Sequence, residues 1–312
     1  MHLVKAAGFW LKTCMRSLLA AALLALCGSA SAEIAQNIPA AVVADPPMDK
    51  AYPADLQVAA ISSHGSIMHG VLYIASGLGP HPALLFMHGF PGDEQSLDLA
   101  QSARRAGWNV LTFHYRGSWG SEGTFSFSHA VEDADSAIAF LRDSANAKKY
   151  RIDTRRIVVA GHSMGGLMAA HSCMRDKSII GAILISAWNV GGEVAAVKTD
   201  ADRSQEIASF ADSMESLVGC TPEGLFSEAM AHRSEWNFTA YAEALASRPL
   251  LVVTSDDGNA PDSDALVAAI RKVGGTAVTE IHFPTDHPYS DHRIALQAAV
   301  VRWLETLEPE NP

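Results

Sequence analysis

The stretch Arg156-Ile157-Val158-Val159-Ala160-Gly161-His162-Ser163-Met164-Gly165-Gly166 decides how the rest of the chain is read. Its first five residues form a short apolar run, and residues 167–174 after it suit a helix, so Ser163 stands in a strand-turn-helix setting. The spacing Gly161-x-Ser163-x-Gly165 fits that setting physically. In so tight a turn a Cβ at either glycine would collide with the neighbouring strand or helix, and the serine between them takes a strained backbone that thrusts its hydroxyl out of the sheet.

Reading outward, continuous apolar runs recur at 83–87, 109–114, 179–186, 250–254 and 277–283, which predicts strands buried on both sheet faces. Helical periods lie between and after them: Val131, Ala134, Ile138 and Leu141, then Leu296, Val300, Trp303, Leu304 and Leu307. Strand and helix in alternation give an α/β fold with a mostly parallel sheet and helices on both faces. Ahead of it, the runs 56–62 and 67–76 flank His64-Gly65 and predict an antiparallel opening hairpin. About sixty residues then separate Ser186 from Leu250, too many for a structureless loop, and Ile207, Phe210, Met214 and Leu217 keep helical spacing within them. A helical insertion is expected there, inside a domain spanning 54–312.

Composition excludes whole classes. The 312 residues carry 23 Lys+Arg against 34 Asp+Glu, a net charge of −11, with 48% hydrophobic and 18% charged residues. Such a chain buries a core and is no disordered polymer. With no basic cluster to displace phosphate counterions, nucleic acid is not an expected partner. Residues 1–32 hold Lys5, Lys12 and Arg16, no acidic residue, the apolar run 18–26, and the small residues Ala30, Ser31 and Ala32. They read as a secretory signal peptide cut after Ala32, which predicts an exported, periplasmic or secreted protein. The apolar run falls short of the roughly 20 residues a bilayer takes, so no stable membrane span is expected after cleavage; the alternative is an uncleaved anchor lengthened by Phe9 to Leu11. Residues 33–53 contain four prolines and predict an extended lead-in. Beyond the signal only Cys173 and Cys220 remain; they pair in an oxidising compartment or stay as separate buried thiols, and their spacing matches no metal motif.

A serine hydroxyl is a poor nucleophile until a base takes its proton, and the base needs a carboxylate behind it. Both stand downstream at strand ends. The run 250–254 leads into Ser255-Asp256-Asp257-Gly258-Asn259-Ala260-Pro261, and the last strand into Pro284-Thr285-Asp286-His287-Pro288. Carboxylates and imidazole therefore lie at the carboxyl edge of the sheet, where open α/β sheets bind ligands. The order Ser, Asp, His is the one this strand-turn-helix architecture uses.

From about residue 51 to 307 the chain resembles an α/β-hydrolase. His88-Gly89-Phe90-Pro91-Gly92 is similar to that family's oxyanion segment, and Tyr115-Arg116-Gly117 with Gly120-Ser121-Glu122-Gly123 is similar to its loop after the fourth strand. The residues from His287 to His292 resemble the surroundings of the family's histidine. The resemblance implies a serine hydrolase of eight strands with a helical cap insertion, about 190–247, over the site. Ser163 is the expected nucleophile, His287 the base, Asp257 its orienting acid, and the N–H groups of Phe90 and Met164 the oxyanion hole. Asp257 is preferred over Asp256 because it stands four residues before Pro261, although Thr254-Ser255, where many relatives carry a glycine, leaves the register open by one. His292 competes with His287 but reads as a surface residue behind Ser290, a candidate N-cap. His88 and His162 are expected to shape their loops, and a bulky residue at Gly89 to depress turnover without unfolding the protein.

Neither a cofactor nor a metal is expected, since no G-x-G-x-x-G follows an early strand and His282, His287 and His292 at intervals of five share no helical face. The expected partner is a small-molecule ester or a peptide. The motifs are similar to those of small carboxylesterases and of the hydrolase domain of prolyl-oligopeptidase-like enzymes, and the chain before residue 56 is too short for the propeller such peptidases carry. This favours ester over amide, with a non-catalytic binding module on the same fold as the alternative of another class. Trp188, Phe210, Met214, Phe226, Trp236, Phe238 and Tyr241 either line an acyl pocket or dock the insertion on the core.

Overall fold

The computed structural model describes residues 38–307. The expected signal segment 1–32 and the first residues of the lead-in lie outside the described residues. The remainder of the lead-in carries only the short helix α1 (Ala40–Val43).

Eight strands form one sheet: β1 (Asp55–Ser63), β2 (Ser66–Ile74), β3 (His81–Met87), β4 (Asn109–Phe113), β5 (Ile152–His162), β6 (Gly181–Ile185), β7 (Leu250–Ser255) and β8 (Val278–Phe283), in the order β1-β2-β4-β3-β5-β6-β7-β8. β2 runs antiparallel to β1 and β4, and every other pairing is parallel. The opening hairpin turns through His64 and Gly65, both at positive φ, which matches the twist of the two strands.

Every residue of β4, β6 and β7 is buried, because helices cover both faces. Alternation divides each strand between two cores. Leu85, Val159, Leu184 and Val252 face α3 (Phe127–Arg142), α5 (Met164–Arg175) and α10 (Ala260–Lys272), whereas Leu84, Val158, Ile183 and Leu251 face α2 (Leu97–Arg105) and α11 (Arg293–Glu305). Each fully buried aliphatic side chain contributes about 1.5–3 kcal/mol. The run 277–283 departs from expectation. β8 is an edge strand, so only Phe283 is buried and Thr279, Glu280 and His282 look outward.

The insertion between β6 and β7 is helical: α6 (Val190–Ala196), α7 (Asp200–Ala211), α8 (Pro222–Ala231), a 3-10 turn (Phe238–Tyr241) and α9 (Ala242–Leu245). Thr199 and Asp202 form a reciprocal capping box at the start of α7, and Thr221 caps α8 ahead of Pro222. α7 ends at Ala211, so the expected period through Met214 and Leu217 outruns the helix; both side chains still pack on the core from the loop that follows.

Candidate active site

β5 delivers Ser163 to the carboxyl edge of the sheet, and α5 begins at the next residue. Ser163 has φ 56 and ψ −122, a conformation that costs a side-chain-bearing residue about 1–3 kcal/mol. Backbone bonds hold it there: Ser163 N–H donates to Ile185 O at 2.9 Å, and Ser163 O accepts from Gly166 N–H at 2.9 Å and Trp188 N–H at 3.0 Å. The need for glycine is steric, since a Cβ at Gly161 would stand 2.0 Å from Gly165 O and one at Gly165 would stand 2.0 Å from Met87 O.

Asp257 follows β7, and its side chain is only 3% exposed. Its Oδ2 lies 2.6 Å from His287 Nδ1, and its Oδ1 accepts from Asn259 N–H at 2.9 Å. Burial by itself would raise this carboxyl, but hydrogen bonds from His287, the Asn259 N–H and Ser186 outweigh it and hold the group well below the usual carboxylate range. Asp256, one residue earlier, is 65% exposed and faces His282 Nε2 at 3.2 Å. Of the two carboxylates, only Asp257 therefore meets His287.

Three residues behind Asp257 escaped sequence reasoning. Ser186 Oγ lies 2.9 Å from Ser255 Oγ and 2.8 Å from the Tyr289 hydroxyl, all three buried. Burial pushes Tyr289 up to about 12, so it stays a neutral donor beside the carboxylate. Ser186 ends the run after β6 at positive φ, and Tyr289 also has positive φ, but single polar residues at strand ends carry no spacing signal.

His162 Nε2–H donates to the His287 carbonyl at 2.9 Å, and the two rings stand 4.4 Å apart. Burial pushes His162 down to about 3, so its ring is neutral and ties the histidine loop to the serine turn. His292 pairs instead with Asp291, Nδ1 to Oδ1 at 2.8 Å. It is also the N-cap of α11, the place expected for Ser290, whose N–H is taken up by Asp286 Oδ1 at 2.7 Å.

Around Ser163, Met164 opens α5, where the N–H has no partner in its own helix and the helix dipole is positive. Gly89 is wedged against the serine: a Cβ there would stand 2.8 Å from Ser163 Cβ. Neither Phe90 N–H nor Met164 N–H donates to a backbone acceptor among the described residues. Most aromatic residues of the insertion dock on the core. Phe210, Phe226, Trp236, Phe238 and Tyr241 are buried, and Phe210 packs at 5.9 Å from the Phe90 ring and 6.0 Å from those of Phe127 and Trp188. Cys173 and Cys220 are both free thiols. Among the described residues no group of three or more His, Cys, Asp or Glu is arranged to hold a metal ion, and no helix is long and apolar enough to cross a membrane.

The profile of the Alpha/beta hydrolase family matches residues 84–303. No curated protein matches the chain. Among solved structures it is similar to an esterase of Pyrococcus furiosus, with TM-score 0.59 and 17% identity over 84% of this chain and 98% of that one. A thermophilic carboxylesterase cloned from a metagenomic library gives 0.58 and 22%, over 86% and 92%. The acylaminoacyl peptidase of Pyrococcus horikoshii gives 0.60 and 16%, over 83% of this chain and 43% of that one. At these identities the likeness concerns the fold.

Proposed function

The chain belongs to the alpha/beta hydrolase family, and on that premise we propose an exported serine hydrolase that cleaves a carboxylic ester of a small or medium acyl substrate. The observation that carries the reading is the 2.6 Å contact between His287 Nδ1 and a buried, anionic Asp257 beside a serine held at positive φ. With the proton on Nδ1, Nε2 is left bare and able to accept from Ser163 Oγ. Ser163 Oγ attacks the carbonyl carbon as its proton moves to His287 Nε2, and Asp257 stabilises the imidazolium that results. The oxygen that becomes negative is received by the N–H groups of Phe90 and Met164, each such donor contributing about 3–4 kcal/mol in the transition state. His287 then protonates the leaving alcohol, and water activated by the same imidazole releases the acid from Ser163.

Export rests on residues 1–32, with their basic start, apolar run and small residues before the cut. The preference for esters is supported by the likeness in fold to the Pyrococcus furiosus esterase and the metagenomic carboxylesterase over more than nine-tenths of each, against 43% of the acylaminoacyl peptidase. The test is hydrolysis of p-nitrophenyl esters of graded acyl length, beside aminoacyl and prolyl naphthylamides, by the protein and by Ser163→Ala. Ester turnover should fall by roughly three or more orders of magnitude in the variant. Serine-dependent cleavage confined to the amides would replace esterase by peptidase, and turnover retained by Ser163→Ala would remove the nucleophile.

A further inference from the structure

Two residues after His287 stands Tyr289, and two residues before Asp257 stands Ser255. Their hydroxyls meet at Ser186, which follows β6: Ser186 Oγ lies 2.8 Å from the Tyr289 hydroxyl and 2.9 Å from Ser255 Oγ. We propose that Tyr289 is a positioning residue of this site, holding the loop of the base against the loop of the acid through Ser186. Its effect on turnover rests on the hydrolase reading above; its effect on the Asp257–His287 pair does not.

The knot of hydroxyls lies out of reach of bulk water, with Ser186 and Ser255 each 1% exposed and Tyr289 fully buried. A buried hydroxyl left without a partner is costly, so each of the three depends on the others. Ser186 Oγ has two lone pairs and one proton. It can accept from both Tyr289 and Ser255 and keep its own proton for the Asp257 carboxylate, to which it also bonds. Burial raises Tyr289, which therefore retains the proton it donates.

The backbone bends to bring these groups together. Ser186 has φ 42 and Tyr289 φ 59, in the left-handed region that side-chain-bearing residues keep only where their surroundings over-determine it. Tyr289 N–H donates to Asp286 O at 3.0 Å, and its ring meets that of Phe283 edge-on at 6.1 Å. A backbone bond between the acid and base loops, Asp256 N–H to Thr285 O at 3.0 Å, lies ahead of His287; Tyr289 holds the chain behind it. Removing the phenol oxygen frees that segment, lengthens the 2.6 Å contact of His287 Nδ1 with Asp257, and loosens the carboxylate's hold on the imidazolium.

NMR titration of the His287 ring, beside kinetics on p-nitrophenyl acetate, tests this in the protein and in Tyr289→Phe, which keeps the buried ring and loses one oxygen. In the variant His287 should take up its proton at a pH at least about 0.5 lower, and kcat should fall about tenfold or more. The other charged or titratable groups on the elements that meet here are His162, Asp256 with its partner His282, Asp286, Asp291 with its partner His292, and Arg293, held by Asp98. All are the same in both proteins, so the difference isolates Tyr289. Tyr241→Phe removes another buried phenol hydroxyl, the one that donates to Glu235 O, and should leave both readings unchanged. Adding Tyr289→Phe to Ser186→Ala should lower kcat less than about twofold further, because Tyr289 acts through Ser186. An unmoved His287 titration, or losses that multiply in the double variant, would overturn the positioning role. Should Ser163→Ala keep its turnover, the hydrolase reading falls and the titration alone still decides for or against Tyr289.

Discussion

Between Ile185 and Leu250 the chain leaves strands in which every residue is buried and crosses an insertion whose longest helix, α7, buries only Phe210. The two regions hold their functional groups by different means. On the sheet side Ser163, Asp257 and His287 are fixed by backbone bonds and by buried partners such as Ser186, Tyr289 and His162. On the insertion side α7 is anchored by the Phe210 ring set among Phe90, Phe127 and Trp188, with Ile207 packed on the core beside it and Arg203 over the Phe226 ring. The candidate catalytic geometry rests on the strands, whereas α7 has fewer buried side chains to hold it than β6 or β7.

The contrast breaks first at the two adjacent aspartates if it is wrong. Asp257→Asn should lower kcat on p-nitrophenyl acetate by about 10,000-fold, since an amide favours the wrong imidazole tautomer, while Asp256→Asn should change it less than about threefold. Similar losses in both would mean that burial at this edge does not select the acid. On the other side, Phe210→Ala should cost about 3–5 kcal/mol, spent on local opening and not on global unfolding. Hydrogen exchange reads this directly: amides across 199–217 should lose protection while those of β6 keep theirs. Uniform loss through both would join the two regions into one cooperative unit. The third prediction concerns acid. Burial pushes both His88 and His162 down to about 3, so as pH falls below about 6.5 the unfolded chain binds protons that the native chain does not. Stability contributed by keeping these rings neutral is whole above that value and is lost on the way down to about 3. Each ring gives a slope near 1.4 kcal/mol per pH unit and the pair about 2.7, with His114 and His171, also lowered by burial, adding to it. Urea unfolding at pH 7 and pH 5 measures this, and equal stabilities would show that the rings do not stay neutral.

What the sequence made legible follows the same division. Gly161 and Gly165 could be read because backbone crowding leaves no other residue room there, and the buried strands because apolar runs of that length suit strands covered on both faces. Apolar spacing reports burial more faithfully than helix, which is why Met214 and Leu217 still pack on the core from a loop. The run 277–283 misled because an edge cannot be told from a centre until neighbours are known. Ser186, Ser255 and Tyr289 were hidden for a plainer reason: they meet across 103 residues of chain, and one hydroxyl at a strand end resembles any other. The same holds for Asp133, fully buried on α3, which binds Arg116 Nε at 2.6 Å and Ser63 Oγ at 2.6 Å and so ties the loop after β4 to the opening hairpin.

β6 and β7 are parallel, Ile185 opposite Val253 and Ala182 opposite Leu250, so the chain leaves at Ile185 on the carboxyl edge of the sheet and returns at Leu250 nearer the other edge. Whatever joins those points has to cross one face of the sheet, as every connection between adjacent parallel strands does. Doubling the length of a connecting segment costs only about 0.6 kcal/mol in closure entropy. The insertion is thus a cassette. Lengthening, shortening or replacing it would leave the strands that lead to Ser163 and Asp257 in their places.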